Sequence, residues 1–485
     1  MSIKPPDIDV IRSVLRELDP KSSASAATPL PTEELFMPAA HANALDPFRP
    51  LVVGNRGVGK SVWSGALADE ATRMSIASSY PRLGLDHLTV KLGFHEDAGR
   101  VAGVAPSSKA LAALLSQNIE PEEIWTATLL RAVAGEAGIV VPDSLGDAVA
   151  WVSADVERAE AALRAADNYF SSQNLKFLLV FDALDRLAGS WEKIRPLTEG
   201  ILRLALGMNG YRAMRAKVFM RTDQAKDAAL FQFPDASKMR AARVELAWHA
   251  TELYGLLFGI LRRSNRAGEA FARVVKSALG RIGNATDIED PVQQMAVFKL
   301  LAGEFMGSDH RRGRTYTWVI DHLADAFHET TPRSFLITLQ RAASARTSPT
   351  TTVIDHYGIR EGVQQASEVR VSQLQEDYPW IRIVLQHLEG LEVPCTPNTF
   401  IGRWRDRKTV EAITAITETS GRPGPIELEQ SGADQQAALL EALKNIGVIE
   451  ERSEDRINMP DIFRVAAKIK RRGGVRPPVA GSRRS

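Results

Sequence analysis

The chain has 485 residues, of which 44% are hydrophobic and 25% charged, and a formal net charge of +1. This is an ordinary globular composition long enough for several domains, with no global field to draw the chain to nucleic acid; any basic surface must be local. The lone Cys395 excludes an intramolecular disulfide and a cysteine-rich metal site, and the nine histidines show no zinc-binding spacing.

The first residues lack the basic-then-apolar order of a leader, and no apolar stretch reaches the roughly 18 residues of a membrane span, so a cytoplasmic protein with no membrane partner is expected. Residues 6–18 place Ile8, Ile11, Val14, Leu15 and Leu18 on one helical face, which either packs on the main body or serves as a partner-binding arm. Residues 20–32, rich in Ser, Ala and Pro, read as a flexible linker, so 1–32 form an N-terminal helix and linker. The apolar run 50–53 leads into GNRGVGKS at 54–61, and a helix is expected over about 60–72. Residues 87–94 read as a second strand. Helices follow near 107–117, 121–137 and 155–171. KFLLVFD (176–182) is an apolar strand ending in an acid, 190–208 an amphipathic helix, and KVFMRTD (217–223) a buried strand with a polar end. RVELAW (243–248) closes the series. Apolar runs alternating with helices predict an α/β fold, a three-layer parallel sheet over 33–248.

From residue 249 to 346 the periodicity is helical throughout, with Thr251 as the expected N-cap of the first helix. Further helices are expected near 269–279, 291–303, 316–327 and 332–343, together an all-helical lid. Residues 347–352 read as a hinge, and 347–374 as a linker helix. Within 375–466, helices near 378–389, 397–404 and 435–445 precede two short strands, 448–452 and 456–459. This is the order of a winged helix. Residues 467–485 form a tail with seven basic residues and no acid.

The motif at 54–61 has the G-x-x-x-x-G-K-[ST] spacing of a phosphate loop, in which backbone N–H groups surround nucleotide phosphates. Gly54, Asn55, Arg56, Gly57, Val58, Gly59, Lys60, Ser61 and Val62 are therefore the expected nucleotide contacts. Lys60 reaches the β- and γ-phosphates, and Ser61 holds Mg²⁺. Asp182, at the end of its strand, is the second expected Mg²⁺ ligand. Asp185 is the nearest acid able to orient or deprotonate an attacking water, or else a helix cap or the partner of Arg186. Arg221, Thr222 and Asp223 fall at the mouth of the same site, with Thr222 or Arg221 as the γ-phosphate sensor. Arg333, at the start of the 332–343 helix, could close onto that phosphate, with Arg341 as a weaker substitute.

Together these motifs resemble an AAA+-related or STAND-type P-loop ATPase with a C-terminal winged helix. The resemblance runs from the loop at 54–61 through the hhhhDxxD strand at 178–185, the strand at 218–223 and Arg333 to residue 459. It implies ATP and Mg²⁺ as ligands, ATP hydrolysis, nucleotide-coupled conformational change and homo-oligomers. Ordinary AAA+ ATPases have an adjacent Asp-Glu pair, whereas this chain has Asp182-Ala183, more similar to the STAND form and to a slow switch. The segments 230–238 and 471–475 also resemble bacterial ATP-binding proteins, without adding chemistry. Arginine fingers act across subunits in such families, and Arg212, Arg215, Arg240 and Arg243 are candidates by position. The winged helix and basic tail could contact DNA, with Arg403, Trp404, Arg405 and Arg407 forming a local basic patch with an aromatic. Equally, the winged helix could serve a protein partner.

Overall fold

The computed structural model describes residues 3–20, 25–280, 288–346 and 349–473, apart from 421–423, 426, 429–431 and 433. The basic tail from residue 474 lies outside the described residues. The chain divides into two compact units, Ser23–Leu246 and Met1–Ser22 with Ala247–Ser485.

The unit Ser23–Leu246 is built on five strands: β1 (Leu51–Gly54), β2 (Leu88–Phe94), β3 (Lys176–Phe181), β4 (Met214–Arg221) and β5 (Val244–Glu245). Their order is β2-β3-β4-β1-β5, and every neighbouring pair is parallel. Successive side chains of a strand point to opposite faces. Phe177, Leu179, Phe181, Met214, Ala216, Val218 and Met220 therefore share one face. They join a core with Trp125, Phe170, Leu197 and Ile201 from the helices Pro121–Ala137, Val156–Ser172 and Trp191–Gly207. The alternate residues Val52, Leu178, Val180 and Phe219 are buried as well, so the sheet is covered on both sides, as continuous apolar strands require. Asp182 and Arg221 carry the parity of this second face.

The helix after the loop is shorter than its periodicity suggests. It spans Lys60–Ala68 and stops where Asp69 turns extended, its carboxylate capping a new helix, Glu70–Ala77, through Thr72 N at 2.8 Å. The helix Leu145–Ala154 was not foreseen. Part of the expected flexible linker is instead packed. A Cβ on Gly65 would lie 2.8 Å from Ser25 O and 3.4 Å from Pro29 Cα, so the missing side chain lets the 25–29 backbone rest on the loop helix.

Lys217 is fully buried in β4, its Nζ donating to Arg49 O at 2.7 Å, and burial holds its pKa down to about 7. Between about pH 7 and the unfolded value near 10.4 the unfolded chain binds more protons here than the folded one, so stability rises with pH across that window. The difference in melting temperature between the parent and Lys217→Met is expected to shift in the parent's favour from about pH 7 to pH 10. A pH-independent difference in calorimetric scans contradicts this.

In the other unit the N-terminal helix Pro5–Arg16 buries Ile8, Ile11, Val14 and Leu15 in the same core as Phe258, Phe271 and Phe335. Arg12 donates to Val353 O at 2.8 Å and Thr352 O at 2.9 Å, and Arg273 donates to both carboxylate oxygens of Asp7. The helix is thus packed rather than a free arm. Helices Ala250–Arg263, Gly268–Leu279, Pro291–Ala302, Thr315–Leu323 and Pro332–Ala343 follow. The first is capped by His249 rather than Thr251: His249 N donates to Glu252 Oε2 at 2.7 Å. The helix His356–Asp377 buries Ile359, Val363 and Ala366, so it is a core helix of this unit and not a bare connector.

The C-terminal part contains helices Ile381–His387, Pro397–Asp406, Thr409–Ser420 and Gln435–Asn445 and an antiparallel hairpin of β7 (Glu450–Arg452) and β8 (Arg456–Asn458). A short parallel pair, β6 (Glu392–Val393) with β9 (Lys470–Arg471), and a bridge from Cys395 to Ile457 complete the winged-helix arrangement. The fold is thus a parallel α/β P-loop core with a helical lid and a C-terminal winged helix.

Candidate functional site

The carboxyl ends of β1, β3 and β4 meet at one edge of the sheet. Register sets Gly54 beside Arg221, and Asp182 N donates to Phe94 O at 3.0 Å. The loop between β1 and its helix is shaped by glycine. Gly59 precedes the helix with φ +102°, a conformation that side chains disfavour, and Gly54 sits so close to Val58 Cγ2 that a Cβ would approach to 2.8 Å. Trp63, in the first turns of the helix, donates to His41 Nδ1 at 3.0 Å and so fixes the helix to the preceding segment.

Lys60 folds back on the loop, its Nζ donating to Gly54 O at 2.8 Å and Asn55 O at 3.0 Å. Burial lowers its pKa to about 8. Asp182, Asp185 and Asp223 oppose that shift and Arg221 adds to it. The charges of all four residues are thus felt at the ammonium. Asp182 is buried, and its Oδ2 accepts from Ser64 Oγ at 2.9 Å. Arg221 makes a two-point contact with Asp223, Nε to Oδ1 at 3.0 Å and Nη2 to Oδ2 at 3.2 Å, while its Nη1 lies 3.8 Å from Asp185 Oδ2. Thr222 begins the helix Thr222–Lys226 directly after Arg221.

The residues at this edge fit a nucleotide phosphate chain and its divalent ion. The glycine-shaped loop opens onto a helix N-terminus, an ammonium is held on carbonyls it can exchange for anionic oxygens, and a buried carboxylate stands opposite. His95 gives a further sign. It directly follows β2, is 3% exposed, and its Nδ1 is buried without a hydrogen-bond partner. Burial lowers its pKa, while Asp97 and Asp182 raise it, and its neighbour Phe94 accepts from Asp182 N, so the residue belongs to the same edge. Sequence reading ended the strand at Phe94 and passed over His95 and Ser64; neither carries a motif. Among the described residues no group of three or more His, Cys, Asp or Glu could hold a metal by itself.

Two turns of backbone separate the acids. Ala183 lies in the left-handed region at φ +56°, ψ 41°, and lets the chain turn into the short helix Leu184–Arg186. Arg186 pairs with Glu96 at 2.9 Å and not with Asp185. Of the arginine-finger positions, Arg215 donates to Met208, Tyr211 and Met214 carbonyls, Arg240 lies 5.5 Å over the Phe231 ring, and Arg243 pairs with Glu245. Arg212 N donates to Asp167. Arg333 heads the helix Pro332–Ala343 in the other unit, and Arg341 pairs with Glu361 there. Trp404 is fully buried and packs on Phe400, which removes the aromatic from the expected basic patch; Arg405 and Arg407 remain exposed.

No family model and no curated protein matches the chain. Solved structures that resemble it include the ORC2 protein of Aeropyrum pernix in ADPNP–ADP complexes, at 12% identity and TM-score 0.44, covering 90% of this chain and 95% of that one. The ADP form of the same protein gives 12% identity and TM-score 0.32, covering 89% and 92%. Cdc6p of Pyrobaculum aerophilum gives 11% identity and TM-score 0.28, covering 86% and 84%. Likenesses this distant carry no functional argument. No described helix is long and apolar enough to cross a membrane.

A left-handed alanine costs roughly 1 kcal/mol relative to glycine. Ala183→Gly is therefore expected to hold or raise stability by up to about 1 kcal/mol, and Ala183→Val to lower it by more than that. Urea unfolding of the two variants measures both; equal effects contradict a strained turn.

Proposed function

We propose that this chain binds ATP with Mg²⁺ and hydrolyses it slowly, as an AAA+/STAND-like protein that couples nucleotide state to conformational change or homo-oligomerisation. The observation that carries this reading is one sheet edge at which Lys60 rests on the carbonyls of the glycine-shaped loop, Asp182 is bonded to the loop helix, and Arg221, beside Gly54 in register, faces Asp185. In it, residues 54–62 hold the phosphates, and Ser61 with Asp182 holds the metal. A magnesium ion bound there neutralises charge developing on the phosphate oxygens.

The protein's own groups then have distinct tasks. Ser64 fixes the Asp182 carboxylate, so that it need not be ordered when the ligand arrives. Asp185 takes the proton of the attacking water as the water oxygen bonds to the γ-phosphorus and the bond to the bridging oxygen breaks, leaving ADP and phosphate. In the present state Asp185 faces Arg221, which Asp223 also holds. A γ-phosphate that draws Arg221 away would release Asp185, so binding and catalysis are coupled through one guanidinium. Thr222 is the neighbouring sensor, and Arg333 keeps the role that the resemblance implies, that of a lid arginine sensing the nucleotide.

The target of the coupled motion is DNA in one form of this proposal, with the exposed Arg405, Arg407 and Lys408 and the basic tail on its backbone. The second form is a signalling switch whose winged helix binds protein. The burial of Trp404 and the alanine after Asp182 favour it. ATP turnover with and without duplex DNA separates them. Many-fold stimulation that salt abolishes sinks the switch, and a DNA-independent, ATP-driven change from monomer to ring sinks the DNA form.

Lys60→Ala is expected to abolish ATP binding in a fluorescent-nucleotide titration. Asp185→Asn is expected to keep ATP affinity while turnover falls at least about tenfold, toward the 10²–10⁴ of general-base catalysis. Normal affinity and turnover in Lys60→Ala overturns the proposal; unchanged turnover in Asp185→Asn moves the base to another group.

A further inference from the structure

Residues 303–314 connect the helix Pro291–Ala302 to the helix Thr315–Leu323 as a small braced hairpin. Phe305 and Arg314 form an antiparallel bridge, Met306 N donates to Gly313 O at 2.9 Å, and Thr315 N donates to Glu304 O at 3.0 Å. The tip is the single turn His310–Arg312, started by Asp309, whose carboxylate accepts from Arg311 N at 2.8 Å. The Arg312 stem lies against Gly307, where a Cβ would come within 2.9 Å of its Cγ.

The charge at this tip is unbalanced. Ser308, Asp309, His310, Arg311, Arg312 and Arg314 are all exposed. Glu304, the acid at the hairpin base, is engaged by Lys299 and lies 3.9 Å from Arg314, while Asp309 is engaged as the cap. Among the described residues, the Arg311 and Arg312 guanidiniums have neither an ion pair nor a hydrogen bond. The backbone of the turn is already ordered by its own hydrogen bonds, so an anion meeting these two adjacent cations has only their side chains left to fix.

The chemistry of the tip selects among anionic partners. Residues 307–314 read GSDHRRGR and hold no aliphatic side chain and no ring but the polar imidazole of His310. Protein hot spots, arginines included, sit in well-packed, desolvated pockets, and membrane insertion takes apolar groups; residues 308–312 are all exposed and offer neither. Phosphate contacts need only guanidinium, hydroxyl and backbone N–H groups, which this tip supplies. We infer that the 304–314 hairpin is a nucleic-acid backbone contact, with Arg311 and Arg312 each meeting a phosphate of duplex DNA. This rests on the DNA form of the function proposed above and is independent of ATP hydrolysis.

The test is fluorescence anisotropy of a labelled duplex of arbitrary sequence with the full chain, without nucleotide, across about 50 to 300 mM salt. Each phosphate contact contributes about 0.9 to the slope of log K against log salt. The double variant Arg311→Gln/Arg312→Gln is expected to flatten that slope by about 2 on unrelated sequences, with ATP turnover and melting temperature unchanged. Arg311→Lys/Arg312→Lys, which keeps both charges, is expected to retain it. DNA binding with an unchanged slope in the glutamine variant overturns the hairpin contact and leaves the DNA form standing. A parent chain that shows no salt-dependent DNA binding overturns both.

Discussion

The hydrogen bond from Ser64 to Asp182 is the joint on which the site depends. One partner lies on the helix that follows the phosphate loop and the other at the tip of β3, so the bond fixes the loop helix against the sheet. Both groups are buried, where an unpaired carboxylate would be costly. The parity of the strands makes the joint possible. With Phe177, Leu179 and Phe181 committed to the large core, Asp182 must emerge on the opposite face, under the loop helix. The same parity brings Arg221 out on that face.

Electrostatics then organise the edge. Lys60 feels three carboxylates and one guanidinium, and its ammonium rests on two carbonyls. Arg221 contacts the carboxylates of Asp223 and Asp185, while Asp182 is held by Ser64. A polyanion entering such a site competes for Lys60 and Arg221 together. This is a physical basis for coupling occupancy to the position of Asp185, independent of any family resemblance.

How much was legible in the sequence depended on whether local signals decided the structure. The loop at 54–61, the strand ending in Asp182 and the helix near 332–343 were readable because glycine spacing, a continuous apolar run and a proline at a helix start each act locally. The break at Asp69 was not, because a cap competes with an uninterrupted apolar period. The packing of 25–29 turned on the absence of a side chain at Gly65, a contact about forty positions away in the chain. Trp404 illustrates the opposite error. Its basic neighbours suggested a surface, but the periodicity it shares with Phe400 decides for the core. Ser64 and His95 acquire meaning only when the sheet sets them beside Asp182, so no pattern along the chain could have singled them out.

The place of the helix Pro5–Arg16 also dictates an order of assembly. Its apolar face belongs to a core whose other residues come after residue 246, while the whole unit Ser23–Leu246 is spelled out in between. During synthesis the apolar face of the helix therefore meets its core partners, such as Phe258 and Phe271, only after the chain has passed residue 246, and Arg12 meets the Val353 carbonyl later still. The sheet unit, contiguous in sequence, can close first. The later unit then folds around a segment made before the sheet unit, so one core draws on two stretches of chain far apart in sequence.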